Sequence, residues 1–249
     1  MYGQNEVRAI HEAPGTLEVQ EVFKTIQGEG PFSGVPAIFV RLAGCNLRCY
    51  FCDTDFESSY PLNLRSVESV ANKVLDLAGD ATALCVITGG EPFRQGRALA
   101  ALLEQLLLHR LHVQIETAGT LWDSSFDPLT TLLQHRSSAP YPRRWSIVCS
   151  PKTPKIHEAI AREAMAFKYI IHANELSPDD GLPLFSTQQE AQRQSLWRDP
   201  MMDPRRVYVQ PMDLPNDRGL LRNRDKAVEI ALRYGYTLSI QVHKIIGLP

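Results

Sequence analysis

Nowhere does the chain approach the roughly 18 uninterrupted apolar residues that a membrane-spanning helix needs. Its richest run, ALAALLEQLLL at 98–108, already carries Glu104 and Gln105 and then meets His109 and Arg110. The opening MYGQNEVRAIHEAPG has neither the basic start nor the apolar middle of a secretory leader. Charge of one sign is lacking too: 26 Lys and Arg stand against 28 Asp and Glu, a net −2, which leaves no electrostatic footprint for nucleic acid or an anionic membrane. Repeats and low-complexity segments are absent. Cysteine is scarce, five in 249 residues. With no export signal, those thiols are expected in a reducing, cytoplasmic setting, where clustered cysteines mean metal or redox chemistry rather than disulfides. What these absences leave is a small-molecule substrate, with no direct nucleic-acid partner and no membrane.

What is present reads as a single α/β domain over residues 1–249, with an N-terminal extension at 1–18. Short β-branched runs, at 37–42, 83–89, 113–119, 145–150, 167–173, 206–211 and 237–243, alternate with amphipathic stretches. Ser66 opens a helix with Val67, Val70, Val74 and Leu77 on one face; further helices are expected at 98–110 and near 219–234, the last closed by Gly235. Seven strands exceed what a two-layer open sheet needs, so the expected architecture is a partial or modified (β/α) barrel of mainly parallel strands. Residues 174–205, polar and proline-punctuated, read as an inserted excursion.

The polar motifs fall at strand ends: TGGEP after ALCVI, ETAG after VQI, SPK after WSIVC and QPMD after RVYV. That rim of a β/α barrel binds ligands, because loops there vary above a packed core. After the first run comes GCNLRCYFCDT, with Cys45, Cys49 and Cys52 spaced C-x3-C-x2-C. Thiolates favour zinc, copper(I) or iron–sulfur clusters. A structural zinc wants a closed set of four ligands, which Asp53 or Asp55 could complete on paper. Cys85 and Cys149 sit mid-strand among apolar residues and are expected to pack in the core.

C-x3-C-x2-C with Phe51 before its last cysteine, followed by TGGEP, resembles the radical S-adenosylmethionine superfamily. The resemblance implies that Cys45, Cys49 and Cys52 hold a 4Fe-4S cluster and leave one iron to S-adenosylmethionine. Gly89, Gly90 and Glu91 would let backbone approach the methionine end of that cofactor. FKTIQGEGPFSGVPAIFVRLAGCN (23–46), CDTDF and the terminal QVHKIIGLP further resemble the 7-carboxy-7-deazaguanine synthase family, which acts in the 7-deazapurine pathway leading to queuosine. The family reaction takes 6-carboxy-5,6,7,8-tetrahydropterin, abstracts hydrogen at C6, contracts the ring and releases ammonia.

Carried residue by residue, the resemblance implies S-adenosylmethionine contacts at Phe51, Cys52, Asp53, Gly90, Glu116, Ser150, Pro151, Lys152, Gln210, Pro211, Met212 and Asp213. It implies substrate contacts at Ile26, Gln27, Gly28, Glu29, Arg41, Thr88, His243 and Pro249, and Mg2+ at Thr54. Arg41 is a natural fork for the substrate carboxylate, or else a salt-bridged arginine. The Pro249 carboxylate could pair with the pterin edge, or belong to a frayed terminus. A homodimer and an electron donor such as flavodoxin or ferredoxin are implied as partners. Two rival readings are a glycyl-radical-activating enzyme, which would ask for extra ferredoxin-type cysteines, and a zinc-stabilised or electron-transfer module with no enzymatic activity.

Overall fold

The computed structural model describes residues 5–52, 54, 63–134, 144–188, 194–201, 203–213 and 217–248. Among them nine strands form one sheet: β1 (Thr16–Ile26), β2 (Pro36–Leu42), β3 (Leu64–Ser66), β4 (Leu84–Gly89), β5 (His112–Thr117), β6 (Trp145–Cys149), β7 (Ala166–Ile171), β8 (Val207–Pro211) and β9 (Thr237–Leu238). The order is β3-β1-β2-β4-β5-β6-β7-β8-β9. From β2 onward every neighbouring pair is parallel, whereas β1 runs antiparallel to β2 and β3. The order is linear and its two outer strands are not joined, so the sheet is an incomplete, mainly parallel β/α barrel, as the strand–helix alternation predicts.

Parallel neighbours need crossovers. These include α1 (Val67–Ala78), α2 (Gly96–Leu108), α3 (Asp127–Gln134), α4 (Glu158–Glu163) and α5 (Asp217–Tyr234). The Ser66 hydroxyl caps α1 by accepting from the Ser69 N–H, and Val67, Val70, Ala71 and Val74 face the sheet. Leu77 is half-buried at the edge of that face. On α2, Leu99, Leu102, Leu103 and Leu106 are fully buried, each contributing about 1.5–3 kcal/mol.

Strand residues alternate between two faces. One face, carrying Val40, Ile87, Ile115, Ile147, Tyr169 and Val209, joins the helices in the main core. The other is divided along its length. At the N-terminal ends Ala37, Leu84 and Val86 pack with Phe32, with Phe39 and Met165 against them. Toward the C-terminal ends the same rows continue as Arg41, Thr88 and Glu116. An apolar plug therefore gives way to a polar cavity within one strand length.

Two features differ from the sequence expectation. β1 was not among the expected strands because TLEVQEVFKTI mixes charge with apolar residues; that suits a strand near the sheet edge, where only part of each face is covered. It starts inside the stretch read as an N-terminal extension. The expected strand at 237–243 pairs only at Thr237 and Leu238. Beyond them the chain is drawn off the sheet: Val242 N–H donates to Gly28 O at 3.1 Å, and residues Val242–Ile245 close into a short helix, α6. The described residues of the 174–205 excursion are anchored on the sheet. Leu182 and Leu196 are buried, and Trp197 packs on Phe167 with ring centres 4.8 Å apart. No helix among the described residues is long and apolar enough to cross a membrane.

Candidate active site

β2 ends at Leu42 and Gly44 turns the chain into the cysteine loop. The TGGEP turn backs directly onto it: Gly90 N–H donates to Leu42 O and Glu91 N–H to Gly44 O, both at 3.1 Å. A Cβ on Gly90 would overlap the Gly44 carbonyl, and one on Gly89, at φ +119°, would meet the Leu42 backbone. Here glycine lets one backbone lie against another. Glu91, fully buried, accepts from Thr117 Oγ1 (2.7 Å), Ala118 N (2.8 Å) and Phe93 N (3.1 Å), so it ties the end of β4 to the end of β5. Burial pushes its carboxyl above the usual range against those bonds.

A cavity of about 610 Å³ opens over these strand ends, and Cys45, Cys49 and Cys52 all face it. Burial, reinforced by the Glu91 carboxylate, pushes the Cys45 thiol up to about 12. A coordinating cation reverses that penalty by stabilising the thiolate directly. Among the described residues no three His, Cys, Asp or Glu side chains converge on a single-ion position. The three thiols line the cavity together, and soft thiolate donors suit an iron–sulfur cluster. The N-terminal segment holds the loop from outside: Arg8 N–H donates to Cys45 O at 2.7 Å, and Asn5 Nδ2 to Thr54 O at 2.6 Å. Cys85 and Cys149 lie in the main core as expected.

Another part of the cavity lining is built from charge. Lys168 Nζ bonds the Glu29 carboxylate and lies 3.9 Å from Glu116. Gln241 Nε2 donates to Glu29 at 2.8 Å, and Gln27 Nε2 to Glu116 at 2.9 Å. Burial alone would raise Glu29, but Lys168, Gln241 and His243 outweigh it and hold the carboxyl down at about 2. Arg41 faces the cavity while paired with Glu21 at 3.2 Å. His243 also faces it, and its ring packs where a Cβ on residue 28 would be, so Gly28 makes room for His243 and does not itself line the cavity.

The cavity brings together most of the other residues singled out in the sequence. Thr54, Phe51, Gly90, Ser150, Lys152, Gln210, Pro211 and Asp213 line it near the thiols or along the adjoining rim, and Ile26 and Thr88 line it as well. Pro151 and Met212 are buried beside it without lining it. Burial depresses Lys152 while the Cys49 thiolate form opposes that shift. Asp53, Asp55 and Pro249 lie outside the described residues. Sequence reasoning missed Lys168, Gln241 and Lys244. The first had a signal: a lysine inside the apolar strand AFKYII is costly unless paired.

Residues 39–135 match the Radical SAM superfamily. A 7-carboxy-7-deazaguanine synthase from Rhodospirillum rubrum is 44% identical over the whole of both chains. One from Rickettsia prowazekii is 39% identical over all of this chain and 96% of its own. In solved structures, QueE from Escherichia coli superposes with a TM-score of 0.59 at 22% identity, covering 92% of this chain and 95% of that one, a likeness of fold. Full-length identity at this level, on a chain whose cysteine loop and TGGEP turn interlock over one polar cavity, places it: the chain belongs to the 7-carboxy-7-deazaguanine synthase family of radical S-adenosylmethionine enzymes.

Proposed function

We propose that the cavity is the active site, with its thiol end holding the cluster and S-adenosylmethionine and its Glu29–Lys168 end holding the pterin. The family converts 6-carboxy-5,6,7,8-tetrahydropterin to 7-carboxy-7-deazaguanine and ammonia. The cluster and S-adenosylmethionine, when bound, supply the organic radical that removes hydrogen from C6. Cys45, Cys49 and Cys52 would ligate three irons. Gly90, Glu116, Ser150, Lys152, Gln210 and Asp213 would address S-adenosylmethionine, with Phe51 and Pro211 as apolar neighbours. Pro151 and Met212 would shape the two turns from behind.

The chain's own task is to fix the pterin with C6 toward the thiol end, since misplacement costs rate steeply. Glu29, kept ionised by Lys168, would accept hydrogen bonds from the amino and ring N–H edge of the pterin. Arg41 would take the substrate carboxylate as a two-pronged donor, exchanging its Glu21 partner for it. Thr88 and His243 line the walls between, and Gln27 holds Glu116 in place. The Thr54 hydroxyl, on the cavity wall, offers a hard oxygen donor that would help hold Mg2+, whose charge would favour binding of that carboxylate. The single domain, the homodimer, the cytosolic setting and the flavodoxin- or ferredoxin-type donor belong to the same reading.

One observation carries this assignment: three thiols and a buried, ionised Glu29–Lys168 pair open onto the same cavity at the strand ends. The test is anaerobic cluster reconstitution followed by incubation with S-adenosylmethionine, reductant, magnesium and 6-carboxytetrahydropterin. Formation of 5′-deoxyadenosine and the deazapurine acid is expected; absence of both would overturn the assignment.

A further inference from the structure

The 174–205 excursion reaches the cysteine loop. Cys49 and Gln188 form an antiparallel bridge, and Tyr50 N–H donates to Thr187 O at 3.2 Å. On its other side the same stretch grips the SPK turn: Thr187 N–H and Ser186 Oγ both donate to Lys152 O, at 3.0 and 2.9 Å. The excursion thus spans two loops of the proposed site, and it brings two side-chain donors to one sulfur. Gln188 Nε2 lies 3.1 Å and Thr187 Oγ1 3.3 Å from Cys49 Sγ.

The orientation of both groups is settled by their other partners. Gln188 Oε1 accepts from the Arg48 N–H at 2.8 Å, so the acceptor end of the amide is fixed and the NH2 end faces the sulfur. Thr187 Oγ1 also lies 3.3 Å from Lys152 O, but a hydroxyl has a single hydrogen. Both lone pairs of that carbonyl are engaged by the Thr187 N–H and Ser186, which leaves the hydroxyl hydrogen for Cys49. Cys45, by comparison, takes the local backbone N–H of Leu47 at 3.4 Å, and Cys52 the Asn5 amide at 3.5 Å.

We propose that Thr187 and Gln188 are positioning residues that donate hydrogen bonds to the Cys49 thiolate and thereby raise the reduction potential of the cluster it ligates. This rests on the assignment of Cys49 as a cluster ligand. The step concerned is uptake of one electron from a low-potential protein donor; the cluster gains one negative charge, and no bond is made or broken. Donors aimed at a ligand sulfur stabilise the more negative, reduced state more than the oxidised one. Removing them makes the cluster harder to reduce. The excursion's function is then to connect the cofactor loops to the redox properties of the centre.

The experiment uses the reconstituted holoenzyme, with iron content and the cluster midpoint potential from an EPR-monitored redox titration. Gln188→Met keeps side-chain length without the donor, and Thr187→Val keeps shape without the hydroxyl. Each is expected to hold wild-type iron with a midpoint potential shifted negative, and the double variant further negative than either. Gln188→Glu keeps the acceptor for Arg48 but presents a carboxylate oxygen to the sulfur, and should shift furthest. Should Gln188→Met fail to fold, Thr187→Val decides. Wild-type potentials at full iron content would overturn the proposal, and so would iron loss with an unshifted potential in the clusters that remain. If the wild-type protein itself forms no cluster, the assignment of Cys49 fails first and the proposal with it.

Discussion

Replacing Lys168 with methionine removes an ammonium whose side chain is only 8% exposed and leaves the Glu29 carboxylate, 14% exposed, without its ion partner. Gln241 at 2.8 Å and the nearby His243 remain. The depression of Glu29 from 4.5 to about 2 corresponds to about 3 kcal/mol, which agrees with the ~3–5 kcal/mol cost of breaking a buried ion pair from one side. For a chain of this length that loss lowers Tm by about 6–12 °C, measured by circular dichroism at pH 7. Because the folded carboxyl titrates below its unfolded value, its contribution is complete above pH 4.5 and drains away as pH falls toward 2. The gap between wild type and variant should accordingly shrink to roughly half by pH 3. The double variant Glu29→Gln, Lys168→Met removes both charges of the pair, while Glu116, 3.9 Å from Lys168, keeps its hydrogen bond from Gln27; it should recover most of the stability, yet turn over no pterin. A wild-type Tm in Lys168→Met, or wild-type turnover in the double variant, would refute the reasoning.

Cys45→Ala, Cys49→Ala and Cys52→Ala should each abolish product and lower iron content, whereas Cys85→Ala, in the core, should retain activity and lose on the order of 1 kcal/mol in denaturant titration. Gly90→Ala forces a Cβ into the Gly44 carbonyl; about 1–3 kcal/mol of overpacking should appear as lower thermal stability together with poor cluster uptake. Gly28→Ala displaces the His243 ring and should raise KM for the pterin while iron content stays at the wild-type level. A short extension added after Pro249, next to Leu248, which lines the cavity, should weaken pterin binding and leave cluster assembly intact, as calorimetry and iron analysis would show.

The thiol end of the site was legible because its signals are local. Three cysteines within eight residues and a TGGEP turn are read from one stretch each, and the strand ends put them on one rim. The pterin end was legible only in part. Glu29 and Arg41 stood out through resemblance, but Lys168 comes from mid-strand and Gln241 from a segment whose apolar alternation reads as strand. That segment leaves the sheet because Gly28 and Glu29 capture it, a contact no local pattern encodes. β1 was missed for a related reason: its charged residues are tolerated only because of its place near the sheet edge. Thr187 and Gln188 lie in a stretch without periodicity, and their meaning depends on a cysteine about 138 positions away.

The seam of the incomplete barrel is stitched by contacts of extreme sequence separation. Gly30 N–H donates to Ser239 Oγ across 209 positions, and Gln241 to Glu29 across 212. Closing so long a loop costs entropy before any contact rewards it, so these bonds belong among the late events of folding. The cysteine loop and TGGEP turn, much closer in sequence, can meet earlier. A chain caught part-way could therefore gather its thiols while still lacking a pterin pocket, and competence to bind substrate becomes a measure of whether folding has finished.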